Sequence, residues 1–183
     1  GRLVFLDQLE SDLFYFNAVN DVDLRAVLKP GEAFGTTDYL LQVVEPTRYE
    51  NTLFIDNAGR DDVGLYRAGF SHLNRSLLGF RDTLSVGGHV AEGTRPLYGA
   101  YNFPLNSRGT RLGISADYSE IDIIDGPLEP LDVSGDSFDA GLFLTHPLRV
   151  RRTGIVNGFV GYNFKKSSTD FDDETLFETK VRS

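Results

Sequence analysis

A two-residue rhythm of apolar and polar side chains begins near residue 64 and runs almost to the end of the chain. No other feature narrows the fold as far. Within 110–121, Leu112, Ile114, Ala116 and Tyr118 fall on one side of an extended strand, and Arg111, Gly113, Ser115, Asp117 and Ser119 on the other. A strand turns successive side chains to opposite faces, so this spelling makes one face apolar and one wet. Long segments with a small, polar second face suit a barrel with lipid outside and water inside. Soluble antiparallel sheets also alternate, so a β-sandwich or lipocalin-like barrel is the competing reading. Two details favour the membrane. The segments approach ten residues, and their polar sides carry Gly, Ser, Ala and Asn more than Lys and Glu.

Strands are expected at about 50–57, 64–74, 82–92, 96–105, 109–123, 135–147 and 153–166, with another beginning near 176. Gly, Asn and Asp breaks separate them, as at Asn57-Ala58-Gly59, Asn106-Ser107-Arg108-Gly109 and Asp125-Gly126-Pro127. Short connections are expected to alternate with longer ones, as in barrels with tight periplasmic turns and long external loops. Phe143 and Phe159 break the alternation.

The first 46 residues read differently. Leu3, Leu6, Leu9, Leu13 and Phe16 recur at helical spacing, with Asn17 as an expected stop. Alternating residues 21–29, a Pro30-Gly31 turn and a second strand over 38–44 follow, and Pro46 closes the unit. This is a small α+β unit, expected to lack its beginning.

Composition removes several function classes. No run approaches the ~18 apolar residues of a spanning helix. The chain has no cysteine, so disulfides and thiolate metal sites are excluded. A net charge of -9 and the lack of a basic stripe argue against nucleic acid. No nucleophile elbow, metalloprotease helix or phosphate loop is spelled out, and no small-molecule substrate or cofactor is expected. His72, His89 and His146 sit on different expected strands at no ligand spacing. The acidic run Asp170, Asp172, Asp173, Glu174 lacks the glycine-centred calcium loop and reads as a solvated turn. Nothing at Gly1 resembles a signal peptide, and the chain is expected to be an excerpt.

The segment 52–86 resembles the opening of the barrel in two-partner secretion transporters, the haemolysin-activator and filamentous-haemagglutinin transporter family of Gram-negative bacteria. The matching points are Asp56-Asn57-Ala58-Gly59, Gly64-Leu65-Tyr66-Arg67 with Gly69, Asn74 through Leu78-Gly79, and Asp82 with Leu84-Ser85. Tyr101-Asn102-Phe103-Pro104-Leu105 with Gly109 and Leu112 resembles the next hairpin. Gly141-Leu142-Phe143-Leu144-Thr145-His146-Pro147-Leu148 with Arg151-Arg152 resembles a later strand and its turn. Upstream, residues 24–31 and 35–40 resemble the last strands of the second POTRA domain, the periplasmic module preceding the barrel. The family's Val-Arg-Gly-Tyr/Phe pore loop has no match in this sequence.

The resemblance implies an antiparallel transmembrane β-barrel portion of about seven strands (47–183), preceded by a partial α+β POTRA domain (1–46). Roughly sixteen strands are implied for the whole wall. It further implies the Gram-negative outer membrane as location and a secreted exoprotein carrying a secretion domain as partner, alongside outer-membrane lipid. A POTRA sheet edge accepts a client as an added strand, which points to Val22, Leu24, Ala26 and Leu28. Arg67, His89, Arg111, Asp117 and Asp139 are expected to line the pore, where they either keep an unfolded client moving or form an ion-pair ladder. Tyr66, Tyr101, Tyr118 and Tyr162 are expected as interfacial anchors. The alternative is a self-contained small β-barrel with a structural or ligand-binding role.

Overall fold

Helical spacing gives way to strand alternation where the sequence says it should, and the chain folds accordingly. The computed structural model describes residues 6–171 and 174–182. Helix α1 (Leu6–Val19) is followed by β1 (Asp23–Pro30) and β2 (Thr37–Val44), which pair antiparallel as a two-stranded sheet. Eight further strands form a second sheet: β3 (Tyr49–Asp56), β4 (Arg67–Asn74), β5 (Thr83–Val90), β6 (Leu97–Pro104), β7 (Arg111–Asp122), β8 (Val133–Arg151), β9 (Gly154–Phe171) and β10 (Glu174–Arg182). Each pairs only with its neighbours in sequence, so the sheet is an uninterrupted meander from β3 to β10. Antiparallel neighbours joined by turns are the simplest way to satisfy every strand's backbone groups.

The expected strands fall close to the observed ones, but two expectations need correction. Asn17 does not stop α1, which continues to Val19. Its amide faces the neighbouring strand instead: the Leu24 N–H donates to Asn17 Oδ1 at 2.8 Å, and Asn17 Nδ2 donates to the Leu24 carbonyl at 3.0 Å. Strand lengths also spread more widely than the expected ranges, which run from 50–57 to 109–123. β3 to β6 are 8 residues each, whereas β8 and β9 reach 19 and 18. At the helix-side end the long pair runs on alone as a two-stranded ribbon over 146–151 and 154–158, and at the other end the polar stretch 167–170 pairs with both β8 and β10. Leu3 of the expected helix lies outside the described residues, as do Asp172 and Asp173 of the acidic run.

The sheet has almost no interior. Among the described residues only Val22 and Val63 are buried apolar side chains. Leu53 is 85% exposed, Val160 72%, Tyr162 52% and Ile114 46%. The register puts these on one face: Leu53 opposes Phe70, Ile114 opposes Leu142, and Leu142 opposes Tyr162. Exposed apolar surface on that scale marks contact with something other than water. The sheet is not closed, with β3 and β10 as its edges, so the self-contained small barrel finds no complete wall here.

Helix α1 stands at the end of the sheet that carries the turns 75–82, 105–110 and 152–153. Tyr15 donates to the Arg108 carbonyl at 3.1 Å, and Arg152 pairs with Glu10 at 2.9 Å. The connections at the opposite end, 57–66, 91–96 and 123–132, include the long acidic one with its 3-10 turn at Glu129–Leu131. The expected short-and-long alternation is therefore incomplete: 91–96 is tight, and 75–82 on the helix side is not.

Candidate functional site

The second face of the eight-stranded sheet is built from small and polar residues. Across it run the rows Thr52–Ser71–Gly87–Tyr98, Tyr98–Asp117–Asp139–Lys165 and Ala100–Ser115–Gly141–Asn163. Several of the large rings on it lie beside a glycine. Phe143 stands between Gly113 and Gly161, its cross-strand partners, and packs on Phe159 with ring centroids 6.1 Å apart. A Cβ at Gly113 would collide with the Phe143 ring, and one at Gly87 with Tyr98. The two exceptions to the alternation therefore keep this face continuous: each ring lies across glycine instead of projecting from the wall.

Four of the five expected pore-lining residues lie free of the helix-side turns on this face. Arg67 joins Asp56 in a two-point ion pair at 2.8 and 3.0 Å, at the end of the sheet remote from α1. His89 lies across Gly69 from Phe54, with ring centroids 6.5 Å apart. Asp117 and Asp139 are direct cross-strand partners, and Lys165 opposes Asp139 on the next strand. Among the described residues neither aspartate takes part in an ion pair, so a charge ladder exists at Arg67–Asp56 but not here. Arg111 shares the face, but its guanidinium is directed to the helix-side turn. It donates to Asn102 Oδ1 at 2.6 Å and to the Arg81 carbonyl at 2.9 Å. The three histidines stay apart: His72 meets Asn51, and His146 meets Thr110.

The expected sheet edge is shorter than the sequence suggested. Val22 precedes β1 and is buried, so it offers no edge. The Leu24 backbone is already occupied by Asn17. Because Leu24 directs its N–H and C=O away from β2, strand alternation directs those of Ala26 and Leu28 the same way. The open edge is thus Ala26 and Leu28, with Leu28 46% exposed.

One site escaped sequence reasoning, the joint between the two sheets. Asp82 is fully buried in the 75–82 turn. It accepts from the Leu78 N–H at 3.0 and 3.1 Å, the Phe80 N–H at 3.2 Å and the Tyr101 hydroxyl at 2.9 Å. Burial pushes its carboxyl up, but the Leu78 N–H, the Tyr101 hydroxyl and the Phe80 N–H outweigh that and hold it below the usual aspartate range. Its neighbour Arg81, in left-handed backbone at φ 60, pairs with Asp21 at 2.9 Å and Glu45 at 3.4 Å. Arg48 donates to the Ser76 carbonyl at 2.6 Å, and Arg75 to the Thr47 carbonyl at 2.9 Å. The turn is thus strapped to both the α+β unit and the connecting segment. Asp82 is among the residues that carry the resemblance, but a buried Asp at the end of a turn has no spacing signature, so nothing in the sequence marked it as the acceptor at this joint.

Comparison with known proteins agrees with this geometry. The family model described as haemolysin secretion/activation protein ShlB/FhaC/HecB matches residues 35–181. The heme/hemopexin transporter protein HuxB of Haemophilus influenzae is 25% identical over 150 residues, covering 80% of this chain and 26% of that protein. The chain thus spans about a quarter of the length of the curated relatives it matches. Solved structures of CdiB from Escherichia coli and Acinetobacter baumannii superpose over 100% of the chain with TM-scores of 0.72 and 0.67, at 18% and 20% identity. They cover 35% and 36% of those chains. BamA from Haemophilus ducreyi superposes over 97% of the chain and 35% of its own, at a TM-score of 0.54 and 11% identity. The likeness to these solved structures is one of fold. The chain belongs to the ShlB/FhaC/HecB family of haemolysin secretion/activation proteins.

Proposed function

We propose that this chain is part of a two-partner secretion transporter that takes one large exoprotein from the periplasm and passes it, extended, across the outer membrane. The observation that carries this reading is the division of the eight-stranded sheet into an exposed apolar face and a small, polar face. Residues 47–183 supply part of the barrel wall, and residues 1–46 the C-terminal part of a POTRA domain. The polar face, with Arg67, His89, Asp117 and Asp139, lines the passage. Small side chains and fixed charges offer an extended chain few apolar holds. The role is transport; no catalytic step is assigned to any residue.

The client docks by adding a strand at Ala26 and Leu28, where main-chain groups supply affinity and alternate side chains supply selectivity. Edge proline tests this directly. Ala26→Pro removes a donor from the free edge and leaves the β1–β2 ladder intact, whereas Val27→Pro breaks the ladder. In cells making the complete protein and an exoprotein with a secretion domain, Ala26→Pro should lower exoprotein in the medium about tenfold, the worth of roughly one well-made hydrogen bond. Transporter abundance should not change. Undiminished secretion by Ala26→Pro would exclude this edge as the docking strand.

A further inference from the structure

The apolar face of the sheet ends abruptly on β9 and β10. Up to Val160 and Tyr162 it is hydrocarbon-like and exposed. The next outward positions are basic. Lys166 and Lys180 are direct cross-strand partners, and Arg182 stands opposite Phe164 with its guanidinium carbon 6.0 Å from the ring centroid. Lys166 lies twelve residues above the helix-side start of β9 at Gly154. At ~3.3 Å per residue and the usual barrel tilt, that is about 30 Å along the membrane normal, roughly the thickness of the hydrocarbon layer. The three cations therefore sit where the acyl chains end on the side remote from α1.

Their long stems suit that boundary, because Lys and Arg lay their methylenes on apolar surface and lift the charge to the polar layer. Glu178 lies between the two lysines, 3.1 Å from each Nζ. The other acids of this face stand further out, Asp136 and Glu120 level with Ser168 and Glu178, and Asp122 and Asp170 one row beyond them. The order from the membrane outward is apolar, basic, acidic. A bare surface ion-pair cluster has no reason to put its cations innermost, whereas a layer of anionic headgroups at the end of the hydrocarbon does.

We propose that Lys166, Lys180 and Arg182 form a binding site for the phosphate groups of the phosphorylated glycolipid of the outer leaflet. The site rests on the membrane reading above, since it needs the apolar face to be in lipid. The Arg182 guanidinium offers a planar fork and the two ammonium groups offer point charges, a combination suited to more than one phosphate oxygen.

The test uses the complete protein refolded in detergent and titrated with bisphosphorylated lipid A or its monophosphorylated form, bound lipid being counted by native mass spectrometry. The wild type should favour the bisphosphorylated lipid about fivefold or more, the effect expected for one additional close charge contact. Lys166→Gln/Lys180→Gln/Arg182→Gln should abolish the preference, and Arg151→Gln/Arg152→Gln at the opposite end should keep it. Glu178→Gln should strengthen it, because both ammonium groups are released from their carboxylate. Equal binding of both lipids, or a triple variant that keeps the preference, would overturn the proposal. In those cases retained heat-modifiable folding and membrane insertion would leave the transporter reading standing. Failure of the wild type to insert into lipid would remove both.

Discussion

Asp82 is the residue on which the helix-side end of the wall most depends. Two backbone N–H groups and a tyrosine hydroxyl converge on a carboxylate with no exposure, so its removal leaves several buried donors unpaired. Each such orphan costs about 1–3 kcal/mol, and Asp82→Asn, which retains one acceptor oxygen, should lose about 2 kcal/mol at neutral pH. The pH dependence follows from the lowered pKa of the Asp82 carboxyl. A carboxylate favoured in the fold contributes stability above its unfolded pKa of about 3.9, and that contribution is lost as pH falls through the lower folded value. Urea unfolding of the refolded protein should show a wild-type-to-variant gap that is constant from about pH 5 upward and closes below about pH 4. A gap that persists unchanged to pH 3 would mean that the carboxylate's charge is not what the turn requires. Glycine 113 makes a second residue-scale case. Gly113→Val should cost about 1–3 kcal/mol by displacing Phe143, and Gly113→Val/Phe143→Ala should recover part of it. Strictly additive losses in a double-mutant cycle would show that the ring and the glycine are independent.

At the scale of elements, alternation alone places most strands to within a few residues, because the period of two is dictated by a face that must be apolar throughout. The limits of that signal are visible in particular places. Beyond Lys165 the sequence turns to Ser, Thr and Asp, yet β9 continues to Phe171, held by pairing with β8 that no local pattern encodes. Asn17 reads as a helix stop because Asn is a frequent breaker; here its amide is used to cover the first edge groups of β1. Val22 continues the alternation of β1 on paper but precedes the strand and is buried, so the docking edge contracts to Ala26 and Leu28. The polar face was legible as a face, whereas the fate of its charges was not. Arg111 is held by Asn102 and the Arg81 carbonyl, while Asp117 and Asp139 confront each other, and both outcomes depend on register between strands. Asn17→Ala should speed hydrogen exchange at the Leu24 amide by about tenfold while leaving Val27 protected, as expected for loss of one hydrogen bond at an open edge. Equal acceleration at both would mean that the whole ribbon, and not its edge cover, had been loosened.

In the molecule as a whole, the α+β unit meets the eight-stranded sheet at three turns, with most of the contacts at 75–82. Arg81 reaches Asp21 and Glu45, Arg48 and Arg75 fix the connecting segment, and Tyr15 and Glu10 of α1 touch the turns at 105–110 and 152–153. Each exposed ion pair is worth little alone, but these contacts converge on the connector 45–48 and the turn 75–82. Arg81→Ala should therefore leave the wall folded and raise the rate of limited proteolysis at 45–48 by several-fold. No change in cleavage would assign the strap to its backbone contacts alone. Everything assigned to transport depends on lipid lying against one face of the wall and water against the other. These 183 residues hold no cysteine, so in a complete protein with any other cysteine replaced by serine, neighbouring positions can be compared in intact outer membranes with a membrane-impermeant thiol reagent. Ser115→Cys and Asn163→Cys should be labelled, and Ile114→Cys and Val160→Cys should not; equal labelling of both sets, or labelling of the second set alone, would contradict the account.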